Sequence, residues 1–91
     1  MRIDIICKPG CDDSCQRTLD NVRRALDELG VRAEVHLYQD LHKMIDYRVY
    51  VSPGLVIDDR LRVSGRVPDV REIRSILCER PRYLEREKQV A

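Results

Sequence analysis

The sequence predicts an α/β fold, a four-stranded mixed sheet with helices on both faces, and three observations carry that prediction. Two apolar runs of strand period flank a segment of helical period, giving a strand-helix-strand opening. A short Asp58-Asp59-Arg60 turn separates two further strand-like runs, and a capped amphipathic segment follows them. At 91 residues the chain has length for one compact domain.

Taken in order, Ile3, Ile5 and Cys7 alternate with Arg2, Asp4 and Ile6, and Pro9-Gly10 breaks the run, which defines the first strand. From Ser14 to Leu29 the apolar positions Cys15, Leu19, Val22, Leu26 and Leu29 fall three or four apart, and Gly30 stands where a helix commonly stops. Val31, Ala33, Val35 and Leu37 return to a period of two and form a second strand. Asp40 serves as N-cap for two helical turns carrying Leu41, Met44 and Ile45. Leu55-Val56-Ile57 and Leu61-Arg62-Val63 then make a hairpin across the Asp58-Asp59-Arg60 turn. Asp69 and Glu72 have the spacing of a capping box, Val70, Ile73, Ile76 and Leu77 supply the apolar face of a last helix, and Pro81 ends it. The helical crossover makes the first strand pair parallel, whereas the tight turn makes the hairpin antiparallel. Residues 1–80 form the domain and residues 81–91 a polar C-terminal tail. The expected core is Ile3, Ile5, Leu19, Val22, Leu26, Val35, Leu37, Leu55, Ile57, Ile73 and Leu77.

Composition narrows the function. Hydrophobic residues make up 43% and charged residues 36%, with neither Trp nor Phe, so a small aliphatic core sits under a charged surface. Seventeen basic and 16 acidic residues leave a net charge of +1, and no stretch gathers a basic stripe, which argues against nucleic acid as a partner. No apolar run reaches the roughly 18 to 20 residues of a membrane span, and the polar N-terminal stretch is unlike a signal peptide, so a cytoplasmic protein is expected.

Four cysteines in so short a chain, in a reducing compartment, point to redox chemistry or metal binding. Cys11 lies in the loop after the first strand and Cys15 at the start of the first helix. A helix N-terminus carries unpaired N–H groups and about half a positive charge, so a thiol there ionises more readily, and the thiolate is the nucleophile in disulfide exchange. Two thiols at such a place cycle between dithiol and disulfide. Asp12 and Asp13 oppose a neighbouring thiolate, and Lys8 opposes them. Cys7, four residues before Cys11, ends an apolar strand and reads as core; Cys78 reads as structural or exposed. His36 and His42 read as solvated surface residues, with no metal-ligand spacing between them.

Three segments make the chain resemble the small single-domain thioredoxin-like proteins of bacteria and archaea, the minimal redox-active disulfide family. They are Cys11 to Cys15, Ser52-Pro53-Gly54-Leu55-Val56-Ile57-Asp58, and Val63-Ser64-Gly65-Arg66-Val67-Pro68, and the likeness covers Met1 to Leu77. The resemblance implies a thioredoxin-like fold, a cis Pro53 facing the cysteines, and thiol-disulfide exchange on a protein disulfide, with a thiol reductase as second partner. Cys11, nearer the exposed loop and the expected Pro53 groove, is expected as the attacking thiol and Cys15, on the apolar phase of Leu19 and Val22, as the resolving one, with Ser52 and Pro53 as substrate-binding residues and neither cofactor nor metal expected. Against the usual Cys-x-x-Cys, three residues separate Cys11 from Cys15. If both were helical their Cβ atoms would lie about 5 to 6 Å apart, beyond the roughly 3.5 to 4.5 Å of a disulfide, so Cys11 sits outside the helix if it bonds Cys15. Two alternatives stand beside this reading: a thiolate carrier of copper or zinc on the same fold, or a redox-inactive interaction domain.

Overall fold

The computed structural model describes residues 1–10 and 13–79. Its strands and first two helices are β1 (Arg2–Cys7), α1 (Ser14–Leu29), β2 (Glu34–Gln39), α2 (Leu41–Asp46), β3 (Gly54–Ile57) and β4 (Arg60–Ser64). A third helix, α3, runs from residue 70 through 79. The four strands form one sheet in the order β2-β1-β3-β4. β1 and β2 are parallel, with Ile3 beside Val35 and Ile5 beside Leu37, and both β1–β3 and β3–β4 are antiparallel. The mixed sheet with helices on both faces is therefore the observed architecture. The polar tail expected over residues 81–91 lies outside the described residues.

Alternation along β1 divides the core between the two faces of the sheet. Ile3, Ile5 and Cys7 pack with Cys15, Leu19, Val22 and Leu26 of α1 and with Ile73, Ile76 and Leu77 of α3. On the other face Ile6 packs with Val56 of β3, Met44 of α2 and Val49. Because both faces are covered, even Asp4 is buried, at 0% exposure. Its carboxylate accepts hydrogen bonds from Arg2 Nε at 3.2 and 3.3 Å, and the same guanidinium donates to the Tyr38 hydroxyl at 3.0 Å. The bond to Asp4 raises the Arg2 guanidinium further above its ordinary value. A buried carboxylate without such a partner would carry a large desolvation cost.

Val35 and Leu37, expected in the core, are half-buried instead. β2 is an edge strand, with β1 on one side only, so its side chains meet fewer neighbours. The second strand also begins at Glu34 rather than Val31. Gly30 closes α1 in the left-handed region, at φ 66°, and the Val31 N–H is taken by the Leu26 carbonyl at 3.1 Å. Pairing then starts where β1 starts, at Arg2 opposite Glu34.

The turns follow from short polar side chains. Asp40 Oδ1 accepts the His42 N–H at 2.8 Å and caps α2, and Asp69 Oδ1 accepts the Glu72 N–H at 2.8 Å and caps α3. Asp58 and Asp59 both have positive φ, 48° and 68°, which gives the two-residue hairpin a twist matching its strands. Arg48 also has positive φ, 58°, at the end of α2, where the Val49 N–H reaches the Met44 carbonyl at 2.8 Å. This left-handed backbone is the conformation that glycine adopts most readily.

Candidate active site

The chemistry gathers where β1 ends and α1 begins. Cys7 is the last residue of β1 and, sharing the phase of Ile3 and Ile5, turns its side chain toward α1. Cys15 lies one residue inside the start of α1, on the same face as Leu19 and Val22. Their Cα atoms are 6.3 Å apart and their sulfurs are joined in a disulfide. Both residues are shielded, Cys7 at 0% and Cys15 at 1% exposure.

The sequence reading expected Cys15 to pair with Cys11; in this structure it pairs with Cys7. The physical reason is placement: the strand phase and the first turn of the helix bring Cys7 and Cys15 together, a closeness that eight residues of sequence separation hide. Cys11 lies outside the described residues. Cys7 is in the core, as expected, yet it is also half of the disulfide, a role that alternation alone assigned no more to it than to Ile5. Its signal in the sequence was its position at a strand end, four residues before Cys11 and eight before Cys15.

Asp13 occupies the N-cap position of α1 with no side-chain cap hydrogen bond, and no acidic residue follows in the first turn. The positive end of the helix at Cys15 therefore meets no carboxylate from within α1's own first turn. Thr18 donates from Oγ1 to the Ser14 carbonyl at 2.8 Å, and the Arg17 N–H reaches the Asp13 carbonyl at 2.9 Å.

Across from this junction stands the Ser52–Pro53 loop, whose peptide bond is cis, as expected. The loop is held by the hairpin beyond it. The Gly65 N–H donates to the Pro53 carbonyl at 3.0 Å, and Ser64 Oγ donates to the Val51 carbonyl at 2.9 Å. Pro53 is buried and Ser52 half-buried. Among the described residues, Lys8, Gly10, Ser14, Met44, Tyr50, Val51 and Ser52 line one groove of about 480 Å³ between the loop and the start of α1. Tyr50 stands at its rim, 82% exposed.

His36 stacks on Tyr38, with ring centroids 6.0 Å apart, and His42 lies on α2, both away from the disulfide's face of the sheet. Among the described residues no three His, Cys, Asp or Glu side chains gather closely enough to hold a metal ion, and Cys78 is a free, exposed thiol.

A disulfide held between a strand end and the first turn of a helix, with a cis-proline loop opposite, belongs to the thiol–disulfide oxidoreductases of thioredoxin-like fold. Comparison with known proteins gives the family directly: the model of the thioredoxin domain family matches residues 1–78, and the chain belongs to that family. Over 68 residues it is 37% identical to a protein of Methanocaldococcus jannaschii described as thioredoxin, covering 75% of this chain and 77% of that one. Over the same length it is 35% identical to a protein of Methanothermobacter thermautotrophicus also described as thioredoxin, covering 75% of this chain and 87% of that one.

Proposed function

We propose that the protein reduces disulfides in partner proteins, with Cys11 as attacking thiol and Cys15 as resolving thiol, while Ser52 and Pro53 receive the substrate chain. The observation that carries this is the position of Cys15: first turn of α1, already in a disulfide, beside the groove that Ser52 shares with Ser14. In the forward direction the Cys11 thiolate attacks one sulfur of the substrate disulfide. The substrate's other sulfur leaves as a thiolate and takes up a proton. The Cys15 thiolate then attacks Cys11 Sγ, which releases the second substrate thiol and leaves the protein oxidised. The helix N-terminus favours the thiolate form of Cys15 that this second step needs.

An extended peptide suits the groove because the edge of the Ser52–Pro53 loop offers backbone groups and the Tyr50 and Val51 side chains offer apolar surface. Re-reduction falls to a thiol reductase, and the cytoplasm is the compartment in which such a cycle runs. No described helix is long and apolar enough to cross a membrane. Insulin reduction followed by turbidity, with dithiothreitol as electron source, tests the reading. The intact protein accelerates precipitation, Cys11→Ser does not, and Cys15→Ser accumulates a mixed disulfide through Cys11. An undiminished rate for Cys11→Ser overturns the assignment of roles.

A further inference from the structure

We propose that the open edge of β2 is a self-association surface: two copies of the chain pair antiparallel along Glu34–Gln39, about a two-fold axis at His36, and join their sheets into one. The inference is independent of the thiol chemistry above.

Among the described residues the sheet has two edges, β2 and β4, and they differ in how they meet a further strand. β4 carries Arg60 and Arg62, and its pairing with β3 slips between Leu55 and Val56, features that spoil an edge for further pairing. β2 runs in unbroken register beside β1 from Glu34 to Gln39 and holds no Pro, Lys or Arg. The N–H groups of Glu34 and Asp40 reach the Met1 and Cys7 carbonyls at 3.0 and 3.1 Å. Even-numbered residues therefore turn their backbone groups toward β1, and Val35 and Leu37 turn theirs outward. Such a row of outward groups is a template for another strand.

The sequence of the edge identifies the second strand as its own copy. Antiparallel pairing about His36 sets Val35 against the second copy's Leu37, and the reverse by symmetry, so that the outward groups of both are exchanged. On the α1 face these apolar pairs adjoin a hollow of about 510 Å³ lined in part by Leu26, Val31, Ala33 and Val35. On the α2 face Glu34 falls opposite the second copy's Tyr38, over whose ring the Lys43 ammonium stands at 4.8 Å. Beyond the strand, Arg32 takes the register position opposite Asp40. Shifting the axis to Leu37 would set Glu34 against Asp40, like against like, and shifting it to Val35 would pair only residues 34 to 36 of the strand. Charge and overlap thus select the His36 axis. Because the strand order is β2-β1-β3-β4, β3 and the Ser52–Pro53 loop before it lie across β1 from the shared edge, and the groove stays open in the pair.

The test is sedimentation equilibrium of the full-length oxidised protein over a dilution series, with free thiols blocked by iodoacetamide. The expected mass rises with concentration toward twice that of the chain. Hydrogen exchange at the Val35 and Leu37 amides slows over the same range. Glu34→Lys and Lys43→Glu, one at an exposed and one at a half-buried position, each lose the association. An equimolar mixture of the two variants regains it, since each reversed charge then meets its opposite on the other copy. A monomer at every concentration, with fast exchange at Val35 and Leu37, overturns the proposal and leaves the edge to a strand of another protein. A dimer that neither variant weakens places the contact on another face and overturns it equally. Loss in both variants without recovery in the mixture overturns the His36 register.

Discussion

Reducing the Cys7–Cys15 bond removes a cross-link between the end of β1 and the first turn of α1 and so changes the stability of the fold. The loop it closes has a sequence separation of 8. Chain-entropy reasoning for a loop of that size gives about 2.5 kcal/mol at 25 °C, held in the oxidised protein through restriction of its unfolded chain. The folded side of the balance changes little on reduction. Both sulfurs stay in apolar surroundings, and a buried thiol behaves as a small hydrophobe with a weak donor. For a domain of this length about 2.5 kcal/mol corresponds to a melting shift of roughly 10 to 20 °C. Urea unfolding followed by far-UV circular dichroism measures it, since the chain has no Trp to serve as a fluorescent probe. The comparison is made in Cys11→Ser, so that only the described bond distinguishes the oxidised sample from one reduced with a phosphine. A difference below about 0.5 kcal/mol, the scale of an ordinary surface substitution, refutes the reasoning. That result means the bond leaves the unfolded chain as free as before or strains the native one.

Leu26→Ala, at a site 8% exposed on the core face of α1, is expected to destabilise the protein by about 2 to 5 kcal/mol, and a urea-unfolding change under about 0.5 kcal/mol would return that face to solvent. Gly54→Ala places a Cβ 2.7 Å from both methyl carbons of Val49, closer than carbon atoms pack, so it lowers stability; Val49→Ala in the same chain recovers part of the loss, and additive losses in the double variant refute the clash. Glu72 is held below its ordinary value of 4.5, chiefly by its hydrogen bond from Arg66. Its folded-state pKa being the lower one, the pair's contribution is present above pH about 4.5 and fades as pH falls through the folded value. The stability difference between wild type and Arg66→Gln is therefore largest near pH 6 to 7 and shrinks toward pH 3, and a difference that grows on acidification contradicts the assignment.

Periodicity carried the fold because each element presents its own repeat to a neighbour. The three-and-four spacing from Cys15 to Leu29 becomes α1 over Ser14–Leu29, and the alternation of Leu55 to Val63 becomes the β3–β4 hairpin. Periodicity failed where a residue's fate depends on what lies across the sheet. Val35 and Leu37 alternate as cleanly as Ile3 and Ile5, yet β2 is an edge and β1 is central. Asp4 falls on the phase a reader assigns to solvent, and α2 with Arg2 and Tyr38 covers that face. The site divides in the same way. Cys15 at a helix start and the Pro53 loop were legible from local chemistry and from resemblance. The partnership of Cys7 with Cys15 joins two elements, and a strand-phase cysteine looks the same in sequence whether it packs or reacts.

That ambiguity has a structural source. At the core position that ends β1, burial coincides with proximity to the N-terminus of α1. An aliphatic side chain there would pack against Cys15; a cysteine packs as well and also bonds it, because the two Cα atoms lie 6.3 Å apart, inside the usual disulfide range. The same burial that makes Cys7 a satisfactory core residue denies its sulfur to a partner protein. Exchange of this pair with an outside thiol therefore requires the structure to open around it. A strand end and a helix start thus supply a shielded pair from the fold's own geometry.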